Sequence, residues 1–249
     1  MIVSHKHKFI FLHSRKSAGS SITVSLTRYL GRSDIVLGAI HDCIKNGVRP
    51  PTRMLVEALR HPQPQAIYKK LLLGAVWKFV SASNKNYYSS ILGKDPQHAS
   101  AANVKKIFKS EWNDYIKFCV VRNPWSKTLS DYFWQVRGMT APPSFSEFVK
   151  ALSNGDPLGK VVPPNNSNWE MCAIDDVICV DKVIRFEELN CGLEELTQEV
   201  GIDWDGWLPK SKLNSTRNVR LYKDYYNLET KNIISNIYGR EIEHFRYEF

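Results

Sequence analysis

Two apolar runs stand out along the chain: Phe9-Ile10-Phe11-Leu12, and Tyr115 to Val121 with Lys117 as the polar exception. Both are short and show no alternation, which predicts strands buried on both faces, as in a parallel sheet. Each run passes through polar residues into helical periodicity. After the first, Ile22, Leu26, Tyr29 and Leu30 recur at helical spacing and Gly31 offers a stop, so a helix is expected over 20–30. After the second, Pro124 sits where a first helical position belongs, and Trp125, Leu129, Tyr132, Phe133 and Val136 mark one face.

Elsewhere the pattern is weaker. Residues 33–64 read as a loop-rich excursion with a helical piece at 54–59, followed by an amphipathic helix over 65–80. Residues 84–95 read as a polar loop marked by Gly93 and Pro96. Helices are expected over 101–108, 145–152, 193–200 and 228–238, and short strands at 177–180 and 183–186. Residues 138–164 are otherwise loop-like, and 210–226 are basic and rich in hydroxyls and aromatics. Residues 245–249 are apolar enough to dock on the body.

The length of 249 residues suits one large α/β domain, although two smaller ones would fit as well. A net charge of +9 favours anionic partners, whether nucleotide, acidic glycan, nucleic acid or membrane surface, without choosing among them. No apolar stretch approaches the length of a membrane span, and the N-terminal residues lack the pattern of a signal peptide. A cytoplasmic location is therefore expected, unless a targeting segment has been trimmed. The five cysteines have no C-x-x-C spacing, so free thiols are expected. No Cys/His/Asp cluster has ligand spacing, so no metal site is expected.

The chemistry concentrates where the apolar runs end. Arg15-Lys16-Ser17-Ala18-Gly19-Ser20-Ser21 joins the first strand to its helix. Such a junction turns backbone N–H groups outwards, its small side chains let an anion approach, and Lys16 adds a full charge, so phosphate or sulfate is the natural guest. A basic turn on any α/β protein fits the loop as well. It is not a Walker A loop, since the lysine precedes the only glycine. At the second junction, Arg122 ends the strand and Ser130 lies eight residues on; the two can converge on one anion, although Arg122 pairing with a structural carboxylate is the plainer alternative. His98, in Gln97-His98-Ala99-Ser100, is a lone histidine of the kind that is more often structural than catalytic.

Taken in order, these segments resemble the sulfotransferases that use 3′-phosphoadenosine 5′-phosphosulfate (PAPS), specifically the carbohydrate-type group called sulfotransferase family 2. FIFLHSRKSAGSSI is similar to that family's 5′-phosphosulfate loop, and FCVVRNPWSKTLSDYFW to its 3′-phosphate segment. VDKVIRFEEL and the terminal YKDYYNLETKNIISNIYGREIEHFRYEF are similar to its C-terminal half. The resemblance spans nearly the whole chain. It implies a single α/β domain over 1–249, with a P-loop-like parallel sheet flanked by helices, in which 33–96 and 138–170 shape the acceptor pocket.

The resemblance also implies roles. Lys16 would contact the 5′ phosphosulfate, with Ser17, Ala18, Gly19, Ser20 and Ser21 wrapping it. Arg15 stands where the family has proline and would add charge beside it. Arg122 and Ser130 would hold the 3′ phosphate, and Ser215, Thr216 and Arg217 would close a loop over the nucleotide. His98 stands where heparan 2-O-sulfotransferases of this group carry a histidine base. Lys127 replaces a frequent arginine, which removes a bidentate contact there. The implied reaction is in-line transfer of the PAPS sulfuryl group to a hydroxyl or amine of a small-molecule or glycan acceptor, a saccharide above others, leaving 3′-phosphoadenosine 5′-phosphate (PAP). Tyr87, Tyr88, Trp134 and Trp169 are candidate platforms for a sugar ring, or else packing residues.

Two other readings start from the same residues. A P-loop kinase or phosphotransferase would bind ATP with magnesium. A non-catalytic polyanion binder would rely on the net charge alone, but no nucleic-acid module is visible. The sequence is silent on oligomeric state.

Overall fold

Phe9–Leu12 (β2) pairs antiparallel with a three-residue strand before it, Ile2–Ser4 (β1), with Val3 opposite Ile10. The turn between them is held from below by Asp34, which is fully buried. Its carboxylate accepts from Ser4 Oγ at 2.8 Å, from the main-chain N–H groups of His5 at 2.8 Å and Lys6 at 3.1 Å, and from Gly31 N–H at 2.9 Å. Ile35–Val36 (β3) follows directly and pairs antiparallel with β1. Ile116–Val121 (β4) pairs parallel with β2, Phe11 opposite Phe118. With Ala173–Ile174 (β5) and Val177–Ile178 (β6) forming a separate hairpin, Lys182–Arg185 (β7) completes a sheet of order β3-β1-β2-β4-β7.

The expected α/β fold is thus present, with a central, mostly parallel sheet flanked by helices. Strands β2, β3 and β4 share one direction and β1 runs against them.

The computed structural model describes residues 1–61, 76–159, 161, 167–209 and 222–249. They fall into two compact units, Met1–Val120 with Glu170–Leu213, and Val121–Trp169 with Asn214–Phe249. In the first unit, Gly19–Thr27 (α1) and Leu189–Glu199 pack on the sheet through Ile22, Leu26, Leu193 and Leu196, which share a core with Phe9, Phe11, Phe118 and Ile184. Gly192 makes that packing possible, because a Cβ there would stand 2.5 Å from Ile184 Cγ2.

One expectation is corrected in this unit. Residues 84–92, read as polar loop, belong to the helix Val76–Leu92. Two of their polar side chains face inwards: Asn84 Nδ2 donates to Met54 O at 2.7 Å, and Tyr88 Oη to Glu57 Oε2 at 2.7 Å. Satisfied hydrogen bonds let polar residues occupy a buried helix face. Most of the helix expected over 65–80 lies outside the described residues, and its last five residues open this same helix.

In the second unit, Pro124–Gln135 (α2) begins as its sequence predicts. Asn123 caps it, Oδ1 accepting from Trp125 N–H at 3.1 Å and Ser126 N–H at 3.2 Å, with Pro124 in the first turn. Tyr132 packs edge-on against Phe145 and Phe148 of the helix Phe145–Asn154, and Phe249 docks against Trp125.

Candidate active site

The first unit carries a strained turn where β2 feeds α1. Lys16 and Ala18 both have φ of +59°, in the left-handed region that L side chains avoid. Each such residue costs about 1–2 kcal/mol, and strain of this kind collects where a ligand is to be gripped. Helix α1 starts at this turn with no side-chain cap and no acidic residue in its first turn. An acidic side chain in that turn would compete with an anion for the leading N–H groups. Ser17 Oγ donates to Arg15 O at 3.2 Å and tightens the turn.

Just before it, Ser14 is 1 % exposed and, among the described residues, its hydroxyl has no hydrogen-bond partner. A buried hydroxyl beside a strained turn at a helix N-terminus fits a multiply charged oxyanion.

Gly19 is the residue on which the loop closes. A Cβ at that position would stand 1.8 Å from His13 Cδ2 and 1.9 Å from His13 Nε2. The His13 imidazole occupies that space, stacked on Phe11 at 5.7 Å and meeting the His98 ring edge-on at 4.6 Å.

His98 closes the 3₁₀ turn Pro96–His98 and is half-buried. Its Nδ1 lies 2.6 Å from the main-chain oxygen of His13. A carbonyl only accepts, so Nδ1 carries the proton and Nε2 keeps a lone pair. Burial is the main cause that pushes the imidazole down to about 4; the His13 carbonyl and Asp95 oppose it, and Arg15 assists it. The ring is neutral at pH 7, the form a proton acceptor requires. The Arg15 guanidinium, in the same loop, is paired with the carboxylate of Asp95.

In the second unit, Arg122 follows the last residue of β4. It donates to Ser126 Oγ, from Nε at 3.2 Å and from Nη2 at 2.8 Å. Ser130 stands four residues beyond Ser126 on the same face of α2, so the three align along that helix. Sequence reading paired Arg122 with Ser130 and missed Ser126, although an offset of four was there to be read. Lys127 is 2 % exposed and its ammonium lies 4.2 Å from the centre of the Tyr238 ring, a packing role.

The family model described as "Sulfotransferase family" matches residues 1–248. The chain belongs to the sulfotransferase family. No curated protein and no solved structure matches it.

For a sulfotransferase, the first unit thus brings together Lys16, the loop through Ser21, and His98 tied to the loop by its ring and Nδ1. Ser215, Thr216 and Arg217 lie outside the described residues. Of the four aromatic residues named as sugar platforms, Tyr88 and Trp169 are buried, Trp169 packing on His244 and Phe245. Tyr87 stacks on His61 at 4.0 Å, and Trp134 is half exposed. No helix among the described residues is long and apolar enough to cross a membrane.

Proposed function

We propose that this sulfotransferase transfers the sulfuryl group of PAPS to a hydroxyl or amine acceptor, of saccharide type, with His98 as general base. The observation that carries the reading is the His98 imidazole set against the anion loop, its Nδ1 2.6 Å from the main-chain oxygen of His13 on the segment that opens that loop. When bound, PAPS supplies an activated sulfuryl group.

The chain's own residues then divide the work. Lys16 and the main-chain N–H groups of residues 17–21 offset negative charge at the 5′ end, and Ser14 adds a buried hydroxyl. Arg122, held by Ser126, and Ser130 are assigned to the 3′ phosphate, the group that sets PAPS apart from ATP. His98 takes the acceptor proton at Nε2 while Nδ1 keeps its own proton on the His13 carbonyl. Charge stabilisation and positioning account for catalysis of this kind by analogy with phosphoryl transfer.

Calorimetric titration of the protein with PAP and with ATP tests the cofactor, and transfer from radiolabelled PAPS to a panel of saccharides tests the acceptor. Tighter binding of ATP than of PAP would remove the reading.

A further inference from the structure

Three contacts tie residues 95–98 to the anion loop. The His98 Nδ1–H donates to His13 O at 2.6 Å, and the two imidazoles meet at 4.6 Å. The third is the ion pair of Arg15 with Asp95, one residue before the 3₁₀ turn Pro96–His98. Asp95 is also part of that turn's frame, since its main-chain oxygen accepts from His98 N–H at 2.9 Å. The carboxylate therefore holds the turn at its first corner, and the main chain holds it at the other.

The two side chains are 35 % and 31 % exposed, so their pair is screened by solvent and adds little to folding stability. What it fixes is a distance. Resting on the reading of His98 as base, we propose that Arg15 and Asp95 are positioning residues: their ion pair fastens the turn bearing His98 to the anion loop, holding the imidazole in register with the group that Lys16 and the loop bind. Proline, which the resembled loop motif has at position 15, offers no such tie, so this device belongs to this chain's own sequence. A base displaced by an ångström loses up to about a hundredfold in rate while the protein stays folded.

The test uses Arg15→Ala, Asp95→Asn and the double variant, with Arg15→Lys as the conservative replacement and His98→Ala in parallel. The expected result is a fall in kcat of about tenfold or more in each single variant. The double variant should be no worse than either single one, since both remove the same tie. PAP affinity and melting temperature should stay near the unaltered values, and Arg15→Lys should recover most of the rate. Equal loss of PAP affinity and kcat in Arg15→Ala alone would make Arg15 a nucleotide ligand and overturn the proposal, as would unchanged kcat in both single variants.

A second readout needs no turnover: the pH titration of the His98 ring by NMR in the free protein, its resonance identified by its loss in His98→Asn. The titratable groups facing this ring are Asp95, Arg15, the His13 imidazole and the N-terminal amine, which burial pushes down to about 4. If the tie is mechanical, both single variants free the ring to solvent and both move its pKa upwards from about 4. If the two side chains act only as charges, Asp95→Asn moves it down and Arg15→Ala moves it up, and the proposal fails. Normal turnover by His98→Ala would remove the base assignment instead, whatever the NMR result for the tie.

Discussion

The main-chain oxygen of His13 and the Nδ1 of His98, 85 positions apart in sequence, lie 2.6 Å from each other. This bond selects the tautomer: the proton is spent on the carbonyl and the lone pair is left on Nε2. Burial sets the rest, keeping the ring neutral down to about pH 4 rather than 6.5.

The pH dependence follows with a definite sign. As the base, His98 must be neutral, so kcat/KM should fall only as pH drops through about 4, well below the limb of an ordinary histidine. His98→Ala should lower kcat by about 10²- to 10⁴-fold and erase that limb. The same shift bears on folding: a lowered pKa means the unfolded chain binds more protons between about 4 and 6.5. This contribution to stability is complete above 6.5 and is lost as pH falls through that window. Rate profiles and urea melts between pH 4 and 7.5 check both parts, and an acid limb near 6.5 would contradict the buried ring.

Lys16→Ala and Arg122→Ala should each abolish sulfuryl transfer while leaving the circular dichroism spectrum unchanged. Their binding signatures should differ. Arg122→Ala should erase the preference for PAP over its analogue lacking the 3′ phosphate, whereas Lys16→Ala should weaken both nucleotides alike. Calorimetry with the two nucleotides decides it, and a retained 3′-phosphate preference in Arg122→Ala would move that role elsewhere.

Ser126 Oγ accepts from two nitrogens of the Arg122 guanidinium, at 3.2 and 2.8 Å. Removing the hydroxyl in Ser126→Ala should loosen the guanidinium and cost about 1 kcal/mol of PAP affinity, roughly fivefold. Ser130→Ala should weaken PAP by a similar factor if its hydroxyl touches the phosphate. Titrations of the two variants give the comparison; an unaltered Kd in Ser126→Ala would show that the arginine is held by other contacts.

Asp34 is the clearest stability element. It is 0 % exposed and, among the described residues, accepts from four donors, three of them main-chain N–H groups in the β1–β2 turn and at Gly31. Asp34→Ala leaves the buried Ser4 hydroxyl and three part-buried main-chain N–H groups without their acceptor, which should cost on the order of 3 kcal/mol in urea unfolding. A loss under about 0.5 kcal/mol would mean that solvent reaches the turn.

How far the fold can be read from sequence depends on whether a feature is local. Strands β2 and β4 are legible because each is an unalternating apolar run too short for a helix, and Pro124 announces its helix through a missing N–H. β1 and β3 are not, since three- and two-residue strands are shorter than any period that could betray them. The helix Val76–Leu92 imitates a loop over 84–92 because two of its polar residues, Asn84 and Tyr88, bond inwards to Met54 and Glu57, partners some thirty positions away. The loop residues Lys16 to Ser21 stand out by their own composition, whereas Asp95 as the partner of Arg15 is out of reach, being set by an 80-residue closure. Ser126 is the instructive omission: its offset from Arg122 is one helical turn, and only the attraction of the more distant Ser130 hid it.

The close approach of Gly19 to the His13 ring has an evolutionary consequence. Because one imidazole fills the space that a methyl group at 19 would need, any side chain there requires the ring at 13 to move. Descendants that gain bulk in the loop must first displace or give up the ring, and with it the surface on which the neighbouring histidine leans. Ancestral or designed variants carrying alanine at 19 should therefore be found with a small residue at 13.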